Sequence, residues 1–430
     1  MIKRSIKQFT VDRIQIVRRT SLYSNAFFLM LASLLNSAFG LGFWVLATRL
    51  SSPSELGLAS TLMSMTTLFA SFSTLGLGYG MIRFLPTFSD KQTDFVNSCL
   101  NAGALTSLLA SVVFIVGIPL WSPALSIVHS KVLYSLLFVF ITVSMTMFSQ
   151  VENALIAHRR SSFVATRYII WGVLRFALLP VLPLVMLISM GIFVAWGIPI
   201  AITVVISLFW FMPAVQQGYR PRLTLNLGMI KQTISFSALN YMTDLVFGLP
   251  GLILPLVIVN MVGADEVAYF AVALTIGNFL KMVASSASRS LLAEGSHQED
   301  QIQVRAWQCL KFTTVLLVPT TLLVVALSGL MLTLLYGNDY AHGATRLTQL
   351  FALDSLPAAV ISIYLSVQRV KQRLFNVVAV SVFCGAGTLG LSVLLIPWMG
   401  INGTGVAFGL AQLIVALPMT VQFLRKRHQQ

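Results

Sequence analysis

Runs of about 20 apolar residues, each long enough to cross a bilayer as a helix, recur along the whole chain with short polar connections between them. They predict about twelve spans, at roughly 22–48, 55–81, 96–120, 132–156, 165–188, 191–214, 233–259, 266–292, 309–335, 345–367, 374–396 and 402–424. A membrane β-barrel would instead alternate polarity over segments of about 10 residues, and no such segments occur. The expected fold class is therefore an all-α integral membrane protein.

Composition agrees: of 430 residues, 57% are apolar and only 10% charged, against roughly 25% charged in soluble domains. The formal charge of +15 would suggest nucleic-acid binding in a soluble protein. Here the basic residues stand beside the apolar runs and mark topology, so no nucleic-acid partner is expected. They cluster at Arg83 and Lys91, at Arg159, Arg160 and Arg167, at Arg220, Arg222 and Lys231, at Arg289, Arg305 and Lys311, at Arg369, Lys371 and Arg373, and at Arg425 to Arg427. The alternate connections carry only Arg49, Lys131 and Arg346. The positive-inside rule then puts both termini in the cytoplasm. Residues 1–21 form a basic segment, read either as an amphipathic helix on the anionic leaflet or as a solvated tail. The organisation expected is an N-terminal six-helix lobe over 22–215, a cytoplasmic linker over 216–232, a C-terminal six-helix lobe over 233–424 and a basic tail over 425–430.

The two halves align in hydropathy and charge at a shift of 211 residues. Pro53-Ser54-Glu55-Leu56-Gly57 falls on Ala264-Asp265-Glu266-Val267-Ala268, and the basic turn around Arg159-Arg160 falls on the one around Val370-Lys371. Six spans per half give both halves one orientation, hence parallel pseudo-symmetry about an axis along the membrane normal. Pro250 and Pro255 predict that the seventh span bends or opens in its outer half. Gly76, Gly78 and Gly80, and later Gly400, Gly403, Gly405 and Gly409, are read as points of close helix approach.

Ionisable groups at bilayer depth are costly and face a cavity or a partner. Four fall near mid-span: Arg175, Asp244, Lys281 and Asp354, whose repeat equivalents are Ala386, Ser33, Ala70 and Val143. The charges thus break the repeat at chosen places. Arg175 and Lys281 are suited to holding a pyrophosphate in a central cavity. Asp244 and Asp354 are suited to sharing a Na⁺, or to one of them carrying a proton. The competing reading is internal ion pairing, for example Asp244 with Lys281. Arg83, Glu152, Arg289 and Glu294 form a candidate rim at the cytoplasmic mouth. No Gly-rich phosphate loop, metal-ligand histidine spacing or cysteine framework is present, so neither an enzyme nor a resident cofactor is expected.

The segments Glu55-Leu56-Gly57 through Gly76-Leu77-Gly78-Tyr79-Gly80 to Pro86, Val262 through Phe270, and the turns at Ala157-His158-Arg159-Arg160 and Gln368-Arg369-Val370-Lys371 carry a resemblance. In layout the chain resembles the polysaccharide (O-antigen type) flippases of the multidrug/oligosaccharidyl-lipid/polysaccharide (MOP) exporter superfamily, the superfamily of the MATE transporters. The resemblance implies two six-helix bundles in a V, with a cleft between the first, second, seventh and eighth spans. It implies cation coupling through acidic residues of the seventh and tenth spans, here Asp244 and Asp354. It further implies an inner-membrane flippase for a polyprenyl-pyrophosphate-linked glycan, with membrane lipids and other polysaccharide-assembly membrane proteins as partners. The alternatives are a MATE-type multidrug/cation antiporter and a membrane polysaccharide polymerase or ligase. The latter is disfavoured by the short outer loops.

Overall fold

The structure is a computed structural model and describes residues 21–88, 91–295 and 302–427. The N-terminal basic segment over 1–20 and the end of the tail lie outside the described residues. Twelve long helices follow one another in the described chain, with no strands. They are α1 (Ser21–Leu50), α2 (Pro53–Ser73), α3 (Gln92–Trp121), α4 (Val132–Ala157), α5 (Ser161–Leu178) and α6 (Ile188–Ile206) in the first half. The second half holds α7 (Leu227–Met261), α8 (Ala264–Gly295), α9 (Ile302–Tyr336), α10 (Asn338–Val370), α11 (Leu374–Met399) and α12 (Asn402–Arg427). Helix α6 runs on through a π-helical turn at Ser207–Phe211 to Val215. Eleven of these helices are long and apolar enough to cross a membrane. The exception is α5, whose Arg167 and Arg175 lower the hydropathy of its 18 residues.

Local sequence explains the boundaries. Before α2, the Ser52 hydroxyl accepts from the Glu55 N–H (3.4 Å) and the Glu55 carboxylate accepts from the Ser52 N–H (2.9 Å), with Pro53 in the first turn. That is a capping box with a pre-set φ behind it. Helix α2 stops at Ser73, because Leu75 and Gly76 adopt left-handed backbone (φ 52° and 70°). The chain restarts as a short helix, Leu77–Phe84. The single second span expected over 55–81 is therefore two helices with a sharp joint, and Gly76 supplies a conformation that a side chain disfavours. In α7, Pro250 and Pro255 lie inside one helix of 35 residues that does not open. The helix is bent, since Asn226 meets Ser98 and Asn260 meets Ser122, so residues 226–260 span what residues 98–122 span along α3. Each proline deletes one backbone donor, but the flanking helical bonds carry the segment across the gap.

The two halves meet along few elements. Helix α2 packs on α7 and α8, and the short helix lies between α4 and α7. Glycine makes both contacts possible. A β-carbon on Gly57 would overlap the Ala264 carbonyl oxygen, one on Gly78 would strike the Asn153 amide, and one on Gly80 would strike Thr233. Within the second half α10 is the hub, packed on α8, α9 and α12. In the first half α1 packs chiefly on α5.

The repeat is visible in the backbone. After α4, the N–H groups of His158, Arg159 and Arg160 donate to the carbonyls of Ala154, Ile156 and Leu155. After α10, those of Lys371, Gln372 and Arg373 donate to Val367, Arg369 and Gln368. Arg159 and Gln372 are both left-handed, at φ 56° and 55°. The two turns superpose residue for residue at a shift of 213, two more than the hydropathy register, whereas α2 and α8 begin at Pro53 and Ala264, 211 apart.

Candidate functional site

The joint between α2 and the short helix opens a cavity of about 450 Å³. Its walls come from both halves: Thr67, Ser71, Thr74 and Tyr79 from α2 and the short helix, Ser149 and Asn153 from α4, and Tyr241 and Asp244 from α7. Ala70, Ile82, Met145, Leu245 and Leu252 complete the lining. The volume falls within the range of small-molecule sites, about 300–1,000 Å³. Hydroxyls, an amide and two phenol rings dominate its polar surface, and among the described residues Asp244 is its only formal charge. Such a wall offers many neutral donors and acceptors and two flat apolar faces.

Asp244 ties the cavity's two sides together. The Tyr79 hydroxyl, from the first half, donates to Asp244 Oδ2. Arg369 Nη2, from the last turn of α10, donates to Asp244 Oδ1 at 2.8 Å. The Tyr241 hydroxyl donates to the Ser71 carbonyl, a second bond across the same seam. Arg369 closes α10 at the basic turn, so Asp244 lies within an arginine's reach of that end of the seam, and both remain partly exposed.

A second charged cluster lies inside the second half. Lys281 Nζ on α8 stands 2.6 Å from Asp354 Oδ2 on α10. Gln412 Nε2 on α12 donates to the same oxygen at 3.1 Å, and the ammonium lies 5.2 Å from the Phe408 ring centroid. Asp354 is 1% exposed, and its Oδ1 and Gln412 Oε1 have no hydrogen-bond partner. The internal pairing anticipated between Asp244 and Lys281 is thus replaced by two separate pairs, Asp244–Arg369 and Lys281–Asp354. The two carboxylates expected to share a cation each have a counter-cation of their own.

The structure does not bring Arg175 to Lys281. Arg175 is 2% exposed on α5, its guanidinium 4.5 Å from the Trp171 ring and 5.6 Å from that of Phe43 on α1. Its Nε and Nη2 have no hydrogen-bond partner. Two turns earlier Arg167, counted in sequence among the topology-marking residues, is fully buried. It donates to the Phe148 carbonyl (2.6 Å), lies 4.0 Å from the Phe148 ring and pairs with Glu152 at 3.8 Å. Glu152 thus has an internal partner and is not a free rim carboxylate. Arg83 and Arg289 are exposed, Arg83 lying over the Phe84 ring. The Glu294 side chain lies outside the described residues. Sequence reasoning missed Tyr79, Asn153, Tyr241 and Gln412. The only signal for them is a polar atom within an apolar run, and Arg369 was hidden among the topology charges.

Fold and site together define a multi-pass helical membrane protein with a polar cavity between two helical halves. Residues 45–345, well over half the chain, match the family described as "Polysaccharide biosynthesis protein", and the chain belongs to that family. Among curated proteins no match is found. In solved structures the fold is similar to that of the lipid II flippase MurJ in an inward closed conformation, with a TM-score of 0.77, 13% identity and coverage of 92% of this chain and 87% of that one. It is similar to an inward-facing multidrug resistance MATE family transporter of the MOP superfamily, with a TM-score of 0.69, 11% identity and coverage of 91% and 94%. It is also similar to the eukaryotic MATE transporter AtDTX14, at 0.63, 12%, 94% and 96%.

Proposed function

We propose that this protein is a flippase that carries a polyprenyl-pyrophosphate-linked oligosaccharide from the cytoplasmic to the outer leaflet for surface polysaccharide synthesis. The membrane is a bacterial or archaeal inner membrane, with both termini cytoplasmic. The lobes over 22–215 and 233–424 rock about the α2–α7–α8 seam in alternating access, and no covalent chemistry is carried out. Membership of a polysaccharide biosynthesis family supports the substrate class, as does the fold shared with a lipid II flippase. The observation that carries the reading is the cavity between the halves, whose hydroxyl, amide and phenol lining suits a neutral, hydroxyl-rich sugar. The pyrophosphate belongs elsewhere, since among the described residues no cation lines that cavity. Lys281 would take it by exchanging Asp354 for a phosphate oxygen, and Arg175 would contribute only after its aromatic cover parts. A coupling Na⁺ or H⁺ belongs at Asp354, where Oδ1, and Oε1 of the neighbouring Gln412, are buried without a hydrogen-bond partner. Asp244 serves the seam.

One observation favours a second reading. Among the described residues the cavity's sole charge is a carboxylate, which would suit a cationic drug and a MATE-type antiporter. The experiment that separates them measures surface glycan and the lipid-linked precursor pool in cells lacking the gene, complemented with wild type or with Asn153→Ala/Tyr241→Ala. The flippase reading expects glycan lost and precursor held on the cytoplasmic leaflet, with the double variant failing to restore export at normal membrane abundance. Normal delivery of precursor to the outer leaflet overturns it.

A further inference from the structure

The connection between the halves has a surface that the transport reading does not use. Between α6 and α7 the chain runs without helix or strand over residues 219–226 and is strapped to the start of α3. Asn97 Nδ2 donates to the Arg220 carbonyl (2.9 Å), and Asn101 Nδ2 donates to the carbonyls of Arg222 and Thr224 (2.8 Å each). The Tyr219 hydroxyl donates to Asn97 Oδ1 (3.0 Å), and the Asn226 N–H donates to Ser98 Oγ (3.0 Å). With alternate carbonyls turned to α3, the side chains between them turn away. Leu223 is 99% exposed, Leu227 69% and Leu225 48%. Arg220 and Arg222 are exposed beside them, with no side-chain hydrogen bond or ion pair to any described residue.

The depth of this strap follows from two helices. Helix α3 has 30 residues, about 45 Å at about 1.5 Å each, while the hydrocarbon core needs only about 20 residues. Counting back from Trp121 at the far boundary brings the near boundary to about residue 101, where Asn101 holds the strap. Helix α6, counted from Ile188 at the far side, reaches the same boundary at about residue 208. There Phe209 and Trp210 are exposed, as interfacial aromatic residues are. Both helices place the three leucines and two arginines at headgroup level, on the side of the basic turns.

We propose that residues 220–227 form a lipid-binding anchor, in which Leu223, Leu225 and Leu227 enter the acyl boundary of the adjacent leaflet while Arg220 and Arg222 bind phosphates of anionic phospholipids. Leucine beside arginine at that depth matches a surface that is apolar below and negatively charged above. The anchor does not depend on which substrate the protein carries.

The test uses the full-length protein. Wild type and Arg220→Gln/Arg222→Gln are purified in detergent from membranes containing phosphatidylglycerol, and the retained phosphatidylglycerol is quantified. Retention should fall about fivefold for each arginine removed, and unchanged retention overturns the headgroup role. Separately, Leu223→Cys in a background with Cys99, Cys309 and Cys384 replaced by alanine is labelled with an environment-sensitive fluorophore and reconstituted into phosphatidylcholine–phosphatidylglycerol vesicles. Quenching by lipids brominated near the headgroup, with shielding from aqueous iodide, is the expected result. Free quenching by iodide overturns the anchor. So does shielding that persists in lipid-free detergent and rises with protein concentration, because a protein then covers the strap.

Discussion

Lys281 and Asp354 are unequal partners, and the inequality predicts which substitution costs more. Asp354 is 1% exposed, whereas the Lys281 side chain keeps 20% of its surface and can turn its ammonium toward water. Removing the lysine strands a carboxylate whose Oδ1 already lacks a partner. Breaking a buried pair in that way costs on the order of 3–5 kcal/mol. Asp354→Asn keeps a polar group for Gln412 and frees a cation that has somewhere to go, so it should cost less. Thermal unfolding in detergent should rank Lys281→Met below Asp354→Asn, with Lys281→Met/Asp354→Leu recovering most of the loss, since apolar replacements of similar volume are often neutral. If Lys281→Met unfolds with wild type, the pair does not stabilise the bundle. Lys281, Asp354 and Asp244 were legible in the sequence as anomalies at bilayer depth, but Arg369 was not, and neither was any pairing. Lys281 meets Asp354 and Asp244 meets Arg369 because α8 and α7 stand beside α10 and the seam, which no local pattern encodes. The same blindness put Arg167 on the surface, although α4 and α5 enclose it completely.

Among the elements, hydropathy located all twelve helices and missed the joint within the second. A run over 55–81 is apolar whether it is one helix or two. The break depends on two consecutive left-handed residues, of which only Gly76 announces itself. The prolines of α7 pointed to a bend or an opening, and the helix bends without opening, because a proline removes a donor without saying whether the helix can spare it. Of the glycines read as close approaches, Gly76, Gly78, Gly80, Gly403 and Gly405 are such points, whereas Gly400 and Gly409 have nothing within 4 Å, and the structure sorts glycines by what they approach. At Gly57 the obstacle to a β-carbon is the Ala264 backbone carbonyl, which can move only if α8 moves. At Gly40, on α1, nothing lies within 4 Å. Gly57→Ala should therefore destabilise by about 1–3 kcal/mol through overpacking. Gly40→Ala should be neutral or stabilise by up to about 1 kcal/mol through helix propensity. Unfolding midpoints of the two variants check the contrast, and equal midpoints would mean that α2 and α8 are less closely pressed than described.

At the scale of the whole molecule, the seam is uneven. Helix α2 packs closely on α7 and α8 and Asn260 bonds Ser122, whereas around the cavity the bonds are few and polar: Tyr79 to Asp244, Tyr241 to the Ser71 carbonyl, and Arg369 bracing Asp244 from behind. Partly exposed ion pairs of this kind are worth at most about 1 kcal/mol each, little enough for a cycle to break and remake them. By contrast, the contacts that hold each half together are long, continuous helix faces such as those of α10 on α8 and α9. Motion should therefore part α7 from the short helix before it disrupts either bundle. Ile82 and Leu245 line opposite walls of the cavity, one from each half, and neither takes part in the bonds above. Ile82→Cys/Leu245→Cys, joined by a cleavable bifunctional thiol reagent, should lose glycan export in vesicles and regain it on reductive cleavage. Each single-cysteine variant should be indifferent to the reagent. Tyr79→Phe, which removes one seam bond and leaves Arg369 on Asp244, should change the rate of export without abolishing it. Export that continues through the crosslinked cavity would mean that the two walls never part, and the rocking of the halves would have to be replaced by passage along a fixed groove.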